Sequence, residues 1–356
     1  MTVTLRLTVL DQTPIHCGFT SITAPSFSVE LAIECDRLGY HRYWVAEHHN
    51  SNQFAGTAPE ILLTRIASAT QRMRVGSGGV MLSHYSPYKV AETFSLLGGL
   101  FPGRIDLGIG RAPGGNQLSA AALAAPGSLP QRDVFPQQAA ELCAFIRGDF
   151  PSNHPYVALR CANDSTTMPS LWMLGSGGGS SELAGHLGMG LALARFIAPK
   201  VCSPTIFSQH SSVYGQSGYS GSAPHLLALA VICASSDAEA RFIAGTAVYR
   251  KMMAGSPKRE PLLSPAEVKM RYASMSASDR LEFDSTLEDM VVGSPETCLT
   301  KIKQLSKAFD CDEIAILTVT YTNEDRLKSY QLLAKIFQLH EDSPRINALF
   351  PQFDKA

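Results

Sequence analysis

The chain has 356 residues, with 30 Lys or Arg against 31 Asp or Glu, so its formal net charge at pH 7 is -1. A chain this close to neutral has neither the basic field that gathers nucleic acid nor a polybasic anchor for a membrane surface, so we expect a small molecule as its partner. The length lies within the range of one α/β barrel, and we expect a single domain over residues 1–356.

The cysteines and the N-terminal segment indicate where the protein works. The eight cysteines are scattered without a C-x-x-C pair, and several lie in apolar runs, a pattern typical of buried thiols in a reducing compartment. The first residues, MTVTLRLTVLDQTP, contain no continuous apolar segment, and the longest apolar run, about 226–234, is shorter than the roughly 20 residues that cross a bilayer. We therefore predict a soluble, cytoplasmic protein.

Eight mostly apolar segments are predicted as strands, and the segments between them have the apolar spacing of helices. The predicted strands are residues 5–10, 42–45, 74–80, 105–109, 170–174, 191–195, 226–233 and 313–319. Apolar strands that alternate with helices indicate a parallel sheet covered by helices. Eight such units in this length favour an α/β fold of the (β/α)8 TIM-barrel type over an open sheet.

Several helix starts carry clear signals. Ser86 and Ser294 each precede a proline, which places a capping residue before a proline at the first helical position. Ser236 and Glu239 match the spacing of a capping box. We expect a helix to begin at each of these places.

Two segments do not fit the repeating unit and are expected to be loop insertions. Residues 112–131 are rich in Ala, Gly and Pro, and residues 255–289 are polar with charges of both signs. Long loops of a barrel are common lids over a site, so we expect the second insertion to be a lid.

The segment VAEHHN, residues 45–50, follows the second predicted strand at the end of the barrel where barrel enzymes keep their chemistry. Adjacent side chains on an extended chain point to opposite sides, so His48 and His49 do not readily share one ion, and no H-x-H or H-E-x-x-H completes a metal shell. We predict no metal site. A proton-transfer or hydrogen-bonding role for one histidine remains, and the alternative is two loop histidines satisfied by the backbone.

Glycines interrupt the third predicted strand in the segment VGSGGVML, residues 75–82. Glycine in a strand costs packing and chain entropy, so it marks a bulge or the close approach of a ligand to the backbone. A tight barrel corner without function is an equally good explanation.

The fourth predicted strand runs into Arg111 in the segment LGIGRAPGG, residues 107–115. An arginine at the carboxyl end of a strand offers forked donors to a phosphate or a carboxylate. The alternative is an ion pair with a neighbouring Asp or Glu, and this segment alone does not distinguish the two.

The segment LGSGGGSSELAGHLG, residues 174–188, combines a strand end, a glycine-rich loop and a helix start. Free amides at a helix start bind anions, and Ser176, Ser180 and Ser181 add hydroxyl groups. The dinucleotide-binding fingerprint is only half matched, because its third glycine is absent and Arg195 stands where an acidic residue belongs. The segment favours a phosphate-bearing cofactor over a complete NAD site, with a plain glycine-rich turn as the alternative.

Taken in order, five segments resemble the luciferase-like monooxygenase family, the flavin-dependent barrel group that includes bacterial luciferase. They are WVAEHH, VGSGGVML, FPGRIDLGIGRAPGG, LGSGGGSSELAG and VVGSPETCLTKIKQL. The opening LDQTPI is similar to the subgroup labelled MsnO8-like. The resemblance extends from Leu10 to about Leu339 and is weakest in the two insertions.

This resemblance implies a (β/α)8 barrel that binds reduced FMN, or in some branches F420, at the carboxyl ends of its strands. Reduced FMN from a separate flavin reductase reacts with O2, and a small organic substrate is oxygenated. The F420 branch transfers hydride instead. Members commonly form dimers, so the resemblance also implies a homodimer.

The resemblance carries particular residues with it. His48 matches the family's active-site histidine, with Glu47 and His49 as its neighbours. Gly78 and Gly79 match the place where the family has a non-proline cis peptide against the flavin ring. These residues are therefore expected near the ring of the flavin.

Other residues match the phosphate end of the flavin. Arg111 matches an arginine that contacts the phosphate, and the loop that holds the same phosphate is matched by Ser176, Gly177, Gly178 and Ser180. Where luciferase has a reactive cysteine and a glutamate, this chain has Gly110 and Gly175, so light emission is not implied.

Three other functions compete with an FMN-dependent monooxygenase. The first is an F420-dependent oxidoreductase of the same fold, and the second is a non-catalytic flavin-binding protein that keeps the phosphate loop. The third is another phosphate-binding barrel enzyme, such as an aldolase or isomerase, although no lysine stands at a predicted strand end to form a Schiff base.

Overall fold

The computed structural model describes residues 5–125, 133–161, 164, 166–255 and 260–339. Eight parallel strands form a closed barrel, and a short additional strand extends one of them. The strands are β1 (Arg6–Asp11), β2 (Arg42–Val45), β3 (Arg74–Met81), β4 (Ile105–Gly110), β5 (Ser170–Gly175), β6 (Gly190–Ala194), β7 (His225–Cys233), β8 (Val291–Gly293) and β9 (Glu313–Leu317).

The order of the strands confirms the predicted (β/α)8 barrel. Neighbours in sequence pair from β1 to β7, β7 pairs with β9, and β9 pairs with β1, which closes the ring. All eight predicted strands coincide with barrel strands within a few residues. The sequence did not predict β8, which has three residues and pairs with the carboxyl end of β7.

Helices cover the barrel and fill its insertions. They are α1 (Ala24–Leu38), α2 (Pro59–Ala69), α3 (Pro87–Leu100), α4 (Gln117–Ala124), α5 (Phe135–Arg147), α6 (Ser181–His186), α7 (Thr205–Gln216), α8 (Asp237–Met252), α9 (Pro265–Ser274), α10 (Ala277–Glu288), α11 (Pro295–Phe309) and α12 (Asn323–Phe337). Within the described ranges, short 3-10 helices span Leu82–His84, Gly178–Ser180 and Met253–Gly255.

The predicted helix starts are confirmed, with one correction. Ser86, Ser236 and Ser294 cap α3, α8 and α11, and each side chain accepts a hydrogen bond from a backbone amide of the first turn. At α8 the capping box is incomplete, because the Glu239 carboxylate accepts from the amide of Ser235 at 3.0 Å instead of that of Ser236. A complete capping box lies at the start of α9, between Ser264 and Glu267.

A buried ion-pair layer closes the amino-terminal end of the barrel. Arg42 donates to Asp106 at 2.7 Å and to Glu313 at 2.6 Å, and Arg74 donates to the other oxygen of Asp106 at 2.6 Å. Above this layer, the Trp44 and Trp172 rings meet edge to face at 5.3 Å. The barrel interior is therefore filled at this end, and open space remains towards the carboxyl ends of the strands.

The segment between β7 and α11 forms a second apolar cluster at the carboxyl end of the barrel. Residues of α8, α9 and α10 pack with Ile232 of β7, Leu317 of β9 and the loop residue Phe54. The insertion expected at 255–289 is thus part of a helical cluster that already includes α8, and its residues 256–259 lie outside the described part. In the other insertion, α4 lies within 112–131, and residues 126–132 lie outside the described part.

The cysteines are free thiols, six of them buried, as the sequence predicted; Cys161 is half-buried and Cys17 is exposed. Among the helices of the described residues, none has the length and apolar character needed to cross a membrane.

Candidate functional site

A cavity of about 710 Å³ lies at the carboxyl ends of the barrel strands, within the roughly 300–1,000 Å³ typical of small-ligand sites. Every barrel strand from β1 to β7 contributes to its wall, directly or through the residues that follow it. The lining residues are Leu10, Gln12, Trp44, Ala46, Glu47, His48, Gly78, Met81, Gly110, Arg111, Ala112, Pro113, Gly114, Leu174, Gly175, Ser176, Gly177, Gly178, Gly179, Ser180, Ala192, Ala194, Phe196, Ile197, Leu226 and Ala228. The cavity thus brings together most of the predicted site residues; Gly79 and His49 are not among its lining.

His48 is a half-buried, neutral imidazole on this wall. Burial lowers its pKa to about 4, and the nearby Arg250 cation acts in the same direction. Its Nε2 lies 3.4 Å from the amide nitrogen of Gln12, which makes Nε2 the acceptor and leaves the proton on Nδ1. Nδ1 is buried and has no hydrogen-bond partner within the described residues. His48 thus keeps an N–H group that the described residues do not use.

Glu47 fixes the end of β2 next to His48. Its carboxylate accepts hydrogen bonds from His49 Nε2 at 2.6 Å, the Tyr85 hydroxyl at 2.7 Å and the Met81 amide at 2.9 Å. Burial and this carboxylate raise the pKa of Tyr85, so the phenol keeps its proton at neutral pH. The His49 ring is hydrogen-bonded to Glu47, whereas the centre of the His48 ring lies 4.9 Å from that of Phe54. The two rings thus have different surroundings, as expected for adjacent residues on an extended chain.

The glycines of β3 sit where the backbone of the barrel is crowded. The pairing with β4 shifts between Gly78 and Val80, which is the bulge that the sequence indicated as one explanation. The peptide bond between Gly78 and Gly79 is cis. A Cβ on Gly78 would meet Leu10 at 2.7 Å, and one on Gly79 would meet the Gly108 carbonyl oxygen at 2.8 Å. Gly78 lines the cavity from this position.

Arg111 lines the cavity at its rim and also forms an ion pair. Its Nη1 lies 3.1 Å from Asp133 Oδ2, with more than half of each side chain exposed to solvent. The ion pair considered from the sequence is therefore present. Exposed pairs of this kind contribute little to stability, so the guanidinium can be redirected to a ligand at low cost.

The loop after β5 forms an open cradle. Gly178 and Gly179 line the cavity, and a Cβ added to either would meet no protein atom within 4 Å. Ser176 and Ser180 line the same region. Ser181 does not, because its hydroxyl donates to the Gly178 carbonyl at 2.7 Å and is fully buried at the start of α6. Free space beside glycine amides suits a bulky anion such as a phosphate.

No group of three or more His, Cys, Asp or Glu side chains in the described part of the chain has the arrangement of a metal site. In the cavity region, Glu47 and His49 form a hydrogen-bonded pair with each other.

Sequence reasoning missed two polar residues near the cavity. Gln12 follows the end of β1 in the opening LDQTPI, and the rule that barrel chemistry lies at strand ends could have identified it. Arg250 lies near the end of α8 in a second, smaller cavity of about 270 Å³ that shares Gln12, His48 and Gly114 with the first. No local sequence signal marks Arg250, because it lies inside a helix.

The chain belongs to the luciferase-like monooxygenase family, whose model matches residues 5–310. The uncharacterized protein YwcH of Bacillus subtilis (strain 168) is 38% identical over 333 residues, which are 94% of this chain and 99% of that protein. An N-acetyl-S-alkylcysteine monooxygenase of the same organism is 48% identical over 193 residues, 54% of this chain and 58% of that protein.

Solved structures agree with this assignment. The crystal structure of apo-MsnO8 has a TM-score of 0.80 at 36% identity and covers 94% of this chain and 99% of that chain, which confirms the predicted resemblance to the MsnO8-like subgroup. Two distant structures show the shared fold alone. One is the oxygenating constituent of 3,6-diketocamphane monooxygenase from a Pseudomonas putida plasmid, in complex with FMN (16% identity, TM-score 0.68, 93% and 97% covered). The other is an F420-dependent secondary alcohol dehydrogenase, which is 15% identical with a TM-score of 0.63 and covers 94% of this chain and 99% of that chain.

Proposed function

We propose that this protein is an FMN-dependent monooxygenase that uses reduced FMN and O2 to oxygenate a small organic substrate. The observation that carries the proposal is the placement of His48, Gly78, Arg111 and the loop 176–180 around one cavity at the carboxyl ends of the strands. FMN carries a phosphate at one end and an isoalloxazine ring at the other. The cavity has an anion cradle on one side and an apolar, histidine-bearing wall on the other.

The lining fits the phosphate of FMN by its shape and its donors. Gly178 offers a backbone amide beside free space, and the amide of Gly177 precedes it on the cavity wall. Ser176 and Ser180 offer hydroxyls, and Arg111 offers a charge at the rim. Donors of this kind bind phosphate without a dedicated lysine. The loop would hold the phosphate and leave the ring to point into the barrel.

The opposite wall fits the ring and a substrate beside it. Gly78 presents bare backbone, and Leu10, Trp44 and Leu174 add apolar surface. The unpartnered Nδ1 of His48 and Oε1 of Gln12 provide a donor and an acceptor there. Apolar walls with a few polar groups are typical of cofactor and substrate sites.

When bound, reduced FMN supplies two electrons to O2, so that one oxygen atom enters the substrate and the other leaves as water. The residues of this chain exclude water from the ring, orient the substrate and hold the proton on His48 Nδ1. Gly79 is joined to Gly78 by the cis peptide and lies close to the Gly108 carbonyl group. Glu47 and His49 fix the backbone that carries His48.

The proposal also covers the substrate, the source of reduced FMN and the oligomeric state. The name of the N-acetyl-S-alkylcysteine monooxygenase supports a thioether as the group that is oxygenated here. Reduced FMN is proposed to come from a separate flavin reductase, and the protein to work in the cytoplasm as a homodimer. An F420-dependent oxidoreductase is the second candidate, because a distant neighbour of the same fold is F420-dependent.

Oxygen uptake with chemically reduced FMN tests the proposal. Purified protein is mixed with reduced FMN, ¹⁸O2 and a set of N-acetyl-S-alkylcysteines, and the products are analysed by mass spectrometry. We expect one ¹⁸O atom per product molecule. Absence of any labelled product with reduced FMN, together with substrate reduction or oxidation by F420, would assign the protein to the second candidate.

A further inference from the structure

The smaller cavity adjoins the larger one and has a different electrostatic character. Gln12, His48 and Gly114 line both cavities, so the two share a wall. The opposite side of the smaller cavity comes from the helical cluster above the barrel, through Arg250 and Leu262.

Arg250 is a half-buried cation without a counter-ion in the described residues. Its Nε is buried and makes no hydrogen bond to them. Its Cζ lies 5.2 Å from the centre of the Phe54 ring, whose other neighbour is the His48 ring at 4.9 Å. Burial lowers the pKa of Arg250 to about 10, which leaves it charged at neutral pH.

The acidic groups nearby are already engaged elsewhere. Glu260 lines the same cavity, but its carboxylate accepts a hydrogen bond from Arg271 at 2.7 Å. Glu47, beyond the shared wall, is bonded to His49. Because His48 is neutral, the smaller cavity retains the positive charge of Arg250. A charge that is partly removed from water and has no partner is costly, and a ligand anion would offset that cost.

We propose that Arg250 binds a carboxylate of the substrate, so that the enzyme acts on small organic acids. The planar guanidinium matches a carboxylate in a forked, two-bond geometry. Phe54, Leu262 and Leu263 surround this group with apolar surface. From Arg250 the substrate extends past His48 and Gln12 into the larger cavity, where the oxidised atom meets the flavin. This inference rests on the proposed function.

Polar atoms on the shared wall fit the middle of such a substrate. The Oε1 atom of Gln12 is an acceptor without a partner, and Nδ1 of His48 is a donor without one, within the described part of the chain. An amide group supplies one donor and one acceptor. An N-acylated amino acid therefore has the polar groups that this path offers.

Equilibrium binding tests the inference without requiring turnover. The full-length protein, with and without oxidised FMN, is titrated calorimetrically with N-acetyl-S-methylcysteine and with its methyl ester. We expect the acid to bind about 10- to 100-fold more tightly than the ester, since only the acid pairs with the guanidinium. Equal affinities, or binding of neither compound, would overturn the inference.

Variants assign the preference to one side chain. Arg250→Met keeps the apolar stem and is expected to abolish the preference for the acid, whereas Arg250→Lys is expected to keep part of it. Arg241→Met removes an exposed charge from the same helix and serves as the matched control, with the wild-type preference expected. Persistence of the full preference in Arg250→Met would contradict the assignment.

The two proposals fail in different ways. One outcome is a preference for the acid that depends on Arg250, while no product forms with reduced FMN and O2. In that case the proposed function is wrong, and the carboxylate-binding role of Arg250 is supported. If labelled product forms with equal kcat/KM for the acid and the ester, the monooxygenase proposal is supported and the proposed role of Arg250 is refuted.

Discussion

His48 occupies a place where a neutral imidazole is favoured over a charged one. Burial and the Arg250 cation both disfavour protonation, and Gln12 donates to Nε2. The Nδ1 proton then has no acceptor among the described residues. In the function that we propose, His48 holds the substrate, or an oxygen atom on it, by donating a hydrogen bond.

Replacement of His48 is expected to reduce turnover without loss of the flavin. In His48→Ala, kcat/KM for oxygenation should fall about 100-fold or more, because a positioned donor is lost. FMN affinity should stay within about twofold, since the phosphate loop is untouched. Steady-state kinetics and a flavin titration check this, with His48→Gln as the partial rescue. Wild-type kcat/KM in His48→Ala would show that the residue has no part in the reaction.

The pH profile distinguishes a neutral His48 from a titrating one. With its pKa at about 4, His48 should produce no inflection in kcat/KM between pH 6 and pH 8. An acidic limb near pH 6.5 that disappears in His48→Gln would contradict the neutral state. The measurement uses enzyme saturated with reduced FMN, so that cofactor binding does not enter the profile.

At the scale of elements, the barrel strands were predictable from the sequence, whereas β8 and the position of α8 over the barrel were not. Most barrel strands are short segments rich in apolar residues beside turn signals, which is a local pattern. β8 has three residues and exists because β7 extends beyond the barrel to pair with it. Likewise, Arg250 faces His48 only because α8 folds over the carboxyl ends of the strands. Such long-range placement has no local sequence signature. His48 and Arg111, by contrast, come just after predicted strands, so the sequence alone identified them as candidate site residues.

The opening LDQTPI has a structural role that its sequence did not reveal. Asp11 ends β1 and forms a buried ion pair with Arg326 of α12, with Arg326 Nη2 2.6 Å from Asp11 Oδ1. The Tyr43 hydroxyl donates to the other oxygen at 2.6 Å. Although burial alone would raise the pKa of Asp11, Arg326 and these hydrogen bonds hold it below its usual value. This pair fastens the last helix to the first strand.

Removing one member of this pair should destabilise the fold strongly. In Asp11→Asn, Arg326 is left buried without its carboxylate, and the free energy of unfolding is expected to fall by about 3–5 kcal/mol. Urea unfolding measures the change. Lys328→Met is the control, because it breaks a partly exposed ion pair of the same helix with Glu239 and should cost less than about 1 kcal/mol. Equal losses for the two variants would refute the structural role of Asp11.

For the whole molecule, one buried and three half-buried histidines make the stability of the fold depend on pH in the acid range. Burial lowers the pKa of His16, His41, His48 and His225 to about 4 in each case. The unfolded chain binds protons at these positions below about pH 6.5, and the folded chain does not until about pH 4. The stability from these groups is therefore present above pH 6.5 and is lost as the pH falls towards 4.

Unfolding measured between pH 7.5 and pH 5 should show this loss. The fully buried His16 alone is expected to contribute a slope of about 1.4 kcal/mol per pH unit below pH 6.5, and the other three histidines act in the same direction. In His16→Asn, the free energy of unfolding should depend less steeply on pH, because about one proton fewer is taken up on unfolding. A free energy of unfolding that stays constant or rises towards pH 5 would contradict neutral buried histidines.

The claim that the carboxyl-end cavity is an FMN site is tested most directly by an anaerobic titration of the protein with reduced FMN and, separately, reduced F420. Tryptophan fluorescence reports binding, because Trp44 lines the cavity. We predict saturable quenching by reduced FMN, weaker binding of F420, and affinity for FMN reduced at least about tenfold in Gly178→Asp, whose carboxylate would repel the phosphate. Tight binding of F420 with no response to FMN, or FMN binding unchanged by Gly178→Asp, would contradict this account.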